Sequence, residues 1–154
     1  MVGVTYTYMV ATAHALIGGV VAASVSNPLL GVTLAAVSHP LVDVIPHWDF
    51  ARGWRDKPKT KLFIESSLDV IVGVTLTTAL FSQGVEPRYF AACILASIMW
   101  DFLEAPYWFL KRKIPPFYWA YQIQHRMQGR TGPKWGILTQ IVTVAVIIFL
   151  VSKL

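Results

Sequence analysis

At 154 residues, 55% of them hydrophobic and only 14% charged, the chain falls well short of the roughly 25% charged residues of soluble domains. It is therefore expected to be an integral membrane protein. The net charge of +5 follows from where the basic residues sit, so nucleic-acid binding is not expected, and the single Cys93 excludes a disulfide framework.

A membrane-crossing helix needs about 20 apolar residues. Segments that reach or approach this length lie at 5–25, 28–46, 63–83, 89–110 and 135–152. Together they predict one all-α transmembrane domain over 1–154, an integral membrane helical bundle of about five transmembrane helices. The first span carries His14, with Gly18 and Gly19 just beyond it to let another helix approach closely. It lacks the basic n-region of a signal peptide. Asn27-Pro28 turns the chain into the second span, which ends in "SHPLVDVIPHWDF". There Pro40 and Pro46 free backbone carbonyls that a membrane tolerates only where other groups satisfy them. The third span opens with Glu65 and Asp69, and the fourth closes with Asp101 and Glu104. The run "PPFYWAYQIQHR", Pro115 to Arg126, is expected to form a short interfacial segment in the last cytoplasmic connection.

Eleven of the thirteen Lys and Arg lie in two connections, around residues 52–61 and 111–134. The positive-inside rule makes both cytoplasmic, as it does the N-terminus, and puts the C-terminus outside. Five of the six tryptophans flank these connections, as an interfacial aromatic belt would. A bacterial or archaeal inner membrane is the expected location.

With that orientation, and about 1.5 Å of rise per residue, the ionisable groups gather at one depth. His39 and Asp43 are i and i+4, Glu65 and Asp69 likewise, and Asp101 and Glu104 are i and i+3, so each pair shares one face of its helix. His14 and His47 enter the same level. Glu65 alone has a simpler explanation as a helix-dipole residue, and His47-Trp48-Asp49 as an interfacial cap. The coincidence in depth is what joins them. A buried carboxylate costs about 2.5–3.5 kcal/mol even on lenient scales, and no Lys or Arg falls within these spans. A divalent metal is the economical compensation, as one or two ions of Zn, Mn or Mg. The predicted ligands are His14, His39, Asp43, His47, Glu65, Asp69 and Asp101.

At "AHALIG", "SHPLVDVIPHWD" and "QHR" the chain resembles the membrane-bound metal-dependent hydrolases, the family that includes a LexA-regulated inner-membrane protein. The resemblance implies metal-site roles for His14, for Asp43 and Asp49, and for the His125-Arg126 pair. The sequence departs from the family pattern in having "MQGR" after that pair, and in spacing its acidic residues as Asp43-x5-Asp49.

The expected function is therefore metal-dependent hydrolysis of a lipid or lipid-linked, phosphate-bearing substrate at the cytoplasmic leaflet, by metal-activated water. Glu104 and His125 are the candidate acid–base residues. Lys111, Arg126 and Arg130 are candidates for holding an anionic headgroup. Membrane lipids are the expected partners. The alternative is a proton- or cation-coupled transporter or channel subunit using the same buried His, Asp and Glu groups. That reading requires a homo-oligomer, because five short helices are few for a pathway.

Overall fold

The computed structural model describes residues 10–48, 53–129 and 131–153. Among them the chain forms six helices: α1 (Ala11–Ser24), α2 (Pro28–Val42), α3 (Lys59–Phe81), α4 (Pro87–Leu110), α5 (Phe117–Met127) and α6 (Pro133–Val151). The all-α expectation holds. Three of the helices, α3, α4 and α6, are long and apolar enough to cross a membrane, while α1 and α2 are shorter apolar helices of 14 and 15 residues.

The small α1 is the hub of the bundle and packs against α2, α3, α4 and α6. Ten of its fourteen residues are buried, the state expected of a helix that is apolar on all sides. Small residues permit this. A Cβ on Gly18 would stand 2.5 Å from Ser97 Oγ on α4, and one on Gly73 of α3 would stand 2.7 Å from Thr12 Cα on α1. Small residues that let backbones approach this closely are common at helix interfaces in membrane proteins. The outer faces of α2, α3, α4 and α6 expose large apolar side chains, among them Leu29, Phe63, Leu95 and Ile141. Such continuous apolar surface suits a hydrocarbon surround.

Helix ends follow local chemistry. Asn27 caps α2 by accepting from Leu30 N–H, with Pro28 at the first helical position, and Glu86 caps α4 ahead of Pro87 in the same way. The start of α1 has no side-chain cap of its own. Asp69 on α3 supplies one, accepting from Ala11 N–H at 2.7 Å, Thr12 N–H at 3.2 Å and Thr12 Oγ1 at 2.6 Å. The second helix stops at Val42, four residues before its predicted end, because the turn of Asp43–Ile45 leads the chain into Pro46. The predicted interfacial segment is α5.

Candidate metal centre

Asp43 sits where α2 gives way to its C-terminal turn, 1% exposed, and three imidazoles converge on its carboxylate. His14 Nε2 lies 3.2 Å from Oδ1, His39 Nε2 lies 3.5 Å from Oδ2 and His47 Nε2 lies 3.9 Å from Oδ1. All three histidines are fully buried. The rings of His14 and His39 stack at 3.6 Å, tilted by only 12°. Asp101 closes the group from α4, with Oδ1 3.5 Å from His39 Nε2, and its side chain keeps 20% of its surface exposed. It is the group's most open edge.

Backbone carbonyls decide which imidazole nitrogen faces inward. His39 Nδ1–H donates to Ser97 O at 2.5 Å, and His47 Nδ1–H donates to Ile45 O at 2.6 Å. A carbonyl only accepts, so each Nδ1 carries a proton, and in the neutral ring each Nε2 presents a lone pair. This is the usual support of a metal-ligating histidine. Burial also pushes the His47 imidazole below its ordinary value, against the opposing pull of Asp43, which favours the neutral form a ligand needs.

Two residue types hold the segment that carries Asp43 and His47. The first is glycine: a Cβ on Gly136 would fall 2.5 Å from Trp48 N, and one on Gly129 would fall 2.6 Å from Pro46 N. The second is the polar side chains of α6. Thr139 donates to Pro46 O, while Gln140 donates to Trp48 O and accepts from Val10 N–H at 3.2 Å. Gly129 N–H in turn donates to Asp43 O at 2.9 Å.

The arrangement fits a metal ion. Ligands bonded at 2.0–2.1 Å to one tetrahedral ion stand about 3.3 Å apart, and the separations here run from 3.2 to 3.9 Å. His14, His39 and Asp43 each offer one ligand atom, all within 4.8 Å of one another. Buried His47 Nε2 and Asp101 Oδ2 have no hydrogen-bond partner among the described residues, although buried polar atoms are normally satisfied.

The other predicted residues lie elsewhere. Glu65 pairs with Lys57 at 2.5 Å and with Lys61 at 3.9 Å, and Asp69 is engaged by the start of α1. Neither joins the three histidines. Glu104 is buried on α4, one turn beyond Asp101, and His125 stacks on Tyr121 of α5 at 5.1 Å. Lys111 is exposed and donates from Nζ to Arg55 O at 2.9 Å, and Arg126 is exposed on α5. Asp49 and Arg130 lie outside the described residues.

Two further features were not evident from sequence. Gln124, fully buried on α5, reaches the cluster. An apolar groove of about 700 Å³ runs between α1, α3 and α6, lined by Leu16, Leu68, Val72, Ile141 and Val144, with Trp48 and Asp69 also on its wall. His14 is not part of that lining. Set against known protein families, curated proteins and solved structures, the chain matches none.

Proposed function

We propose that this chain is a five-span membrane metallohydrolase of the kind its motifs resemble, acting at the cytoplasmic leaflet on a lipid or lipid-linked ester or phosphoester. The observation that carries the reading is the convergence of three buried imidazole Nε2 atoms on the Asp43 carboxylate, with Asp101 against one of them, His39. The mixed imidazole–carboxylate set favours a borderline transition ion such as zinc over magnesium, which prefers oxygen ligands alone. One ion suffices, because His14, His39 and Asp43 offer ligand atoms that all lie within 4.8 Å of one another. When bound, such an ion supplies Lewis acidity and water activated near neutral pH.

The chain's own residues divide the remaining work. Ser97 and Ile45 carbonyls fix the imidazole tautomers. Asp101, partly exposed, marks the side from which substrate enters. Glu104, buried one turn beyond Asp101 on α4, and His125, next to Gln124 on α5, are the nearest candidates for acid and base, and Arg126 with Lys111 attracts an anionic headgroup. The exposed apolar faces of α2, α3, α4 and α6 keep the protein among its substrates.

The experiment is turnover of a panel of phospholipids and lipid esters in mixed micelles by zinc- or manganese-loaded protein. Hydrolysis of at least one, lost in Asp43→Ala, supports the reading. Metal-loaded wild type no faster than Asp43→Ala on every substrate overturns it.

A further inference from the structure

Gln124 is a neutral residue in a cluster of ionisable ones, and its position is tightly specified. It shares the buried face of α5 with Ala120 and Tyr121. The chain just beyond it is tied to the same turn it reaches, since Gln128 N–H donates to Gln124 O and Gly129 N–H donates to Asp43 O. Its amide nitrogen stands 2.9 Å from His39 Nε2 and 3.3 Å from Asp43 Oδ2. These two acceptors are the very atoms that would ligate a metal. Its Oε1 is buried and has no hydrogen-bond partner among the described residues.

An N–H group cannot face a cation, whereas a carbonyl oxygen can. The two ends of a glutamine amide have the same shape, and a half turn about the last side-chain bond exchanges them. That turn exchanges the nitrogen's two hydrogen bonds for ligation by the oxygen, and moves the NH2 group to the buried position where Oε1 has no partner among the described residues. It would set the oxygen where the nitrogen now stands, at the 2.9 and 3.3 Å spacings that neighbouring ligands of one small ion keep.

We infer that Gln124 is itself a metal ligand through Oε1, so that α5 closes the centre formed by α1, α2 and α4. The inference rests on the metal reading above. It makes α5 part of the site, because the ion would bind across from α2 to α5 and hold that helix over the cluster.

A bracing role and a ligating role give opposite rankings. If Gln124 only braced the cluster by donating to His39 and Asp43, Gln124→Glu would be the most damaging change, adding a carboxylate against Asp43. If it ligates, Gln124→Glu keeps the length, supplies only oxygen and strengthens binding, while Gln124→Leu keeps the bulk and removes the donor.

The test is titration of the detergent-purified full chain with Co(II), reading affinity and the visible ligand-field bands for wild type and both variants. The expected order is Gln124→Glu tightest, then wild type, then Gln124→Leu. Each step should be at least about tenfold, the scale on which even supporting residues act, with altered bands in Gln124→Leu. A Gln124→Leu protein that matches wild type in affinity and bands, or a Gln124→Glu protein that binds more weakly than Gln124→Leu, overturns the inference and leaves the metal reading standing. Wild type that binds no Co(II) overturns both. Should Gln124→Glu not fold without metal, Gln124→Asn takes its place. It withdraws the oxygen by one methylene, so weakened binding is expected and unchanged binding counts against ligation.

Discussion

His14 on the central helix and Asp43 at the end of α2 are 29 residues apart in sequence, and their side chains meet at 3.2 Å with both residues buried. Two helices too short to rank with α3, α4 and α6 as spans are thus joined where, among the described residues, three buried histidines gather around a buried carboxylate. If a metal sits there, Asp43 is its most connected ligand. Asp43→Asn, which keeps the shape and one oxygen, should weaken Co(II) or Zn(II) binding by at least about a hundredfold, more than loss of an outer-shell partner typically costs. Competition against a chelator of known affinity measures this.

Asp69 offers the contrasting case. Its oxygens accept from two α1 amides and the Thr12 hydroxyl, so Asp69→Ala leaves partly buried donors unpaired at the start of the hub helix. The expected cost is about 1–3 kcal/mol of stability, with metal stoichiometry unchanged. Thermal unfolding in detergent beside elemental analysis separates the two effects. Metal lost along with stability would place Asp69 in the centre after all.

Gly136 tests whether backbone contact positions the site. A side chain there would press on Trp48 N and on the His47 carbonyl carbon at 2.5 and 2.7 Å. Gly136→Val should therefore shift the segment carrying His47 and weaken metal binding about 10–100-fold, the range seen for outer-shell changes. Helicity by circular dichroism should be retained. Unaltered affinity in a folded variant would show that His47 does not depend on this contact.

Away from the cluster, Tyr121 gives a pH-dependent signal. Burial pushes its phenol above the ordinary value, with Arg55 pulling the other way through a 2.7 Å hydrogen bond to the hydroxyl. The folded state therefore holds this proton more tightly than the unfolded chain. The resulting stability is fully present below the unfolded value of about pH 10 and is lost as pH rises through the higher folded value. Tyr121→Phe should cost about 1 kcal/mol near neutrality and flatten the alkaline fall in melting temperature. An identical alkaline profile in the variant would assign that fall to other groups.

The sequence carried the helical class and the approximate positions of the helices, because spacing can be counted along a chain, and it grouped His14, His39, Asp43 and Asp101 by depth together with residues that the fold turns away from them. It could not carry azimuth. Glu65 and Asp69 share a helix face and a depth with the rest, yet one turns to Lys57 and Lys61 and the other to the start of α1. Depth along a helix does not say which neighbour its face meets. Gln124, Ser97 and Gln140 left no signal, since an amide, a backbone carbonyl and a helix-borne glutamine look the same in sequence whether buried or solvated. That some helix packs closely on α1 was readable from Gly18, though not that it is α4; the closeness of Gly129 and Gly136 to the 44–48 segment was not readable, because both lie beyond a connection of unknown path.

The measurement to make first is elemental analysis of the protein purified in detergent without chelator, for wild type, Asp43→Ala and Asp69→Ala side by side. A metal ion held by the Asp43 cluster predicts about one equivalent of a transition ion in wild type and in Asp69→Ala, and none in Asp43→Ala. Wild type that carries no metal and takes up neither zinc nor manganese, or Asp43→Ala that holds as much as wild type, would contradict it.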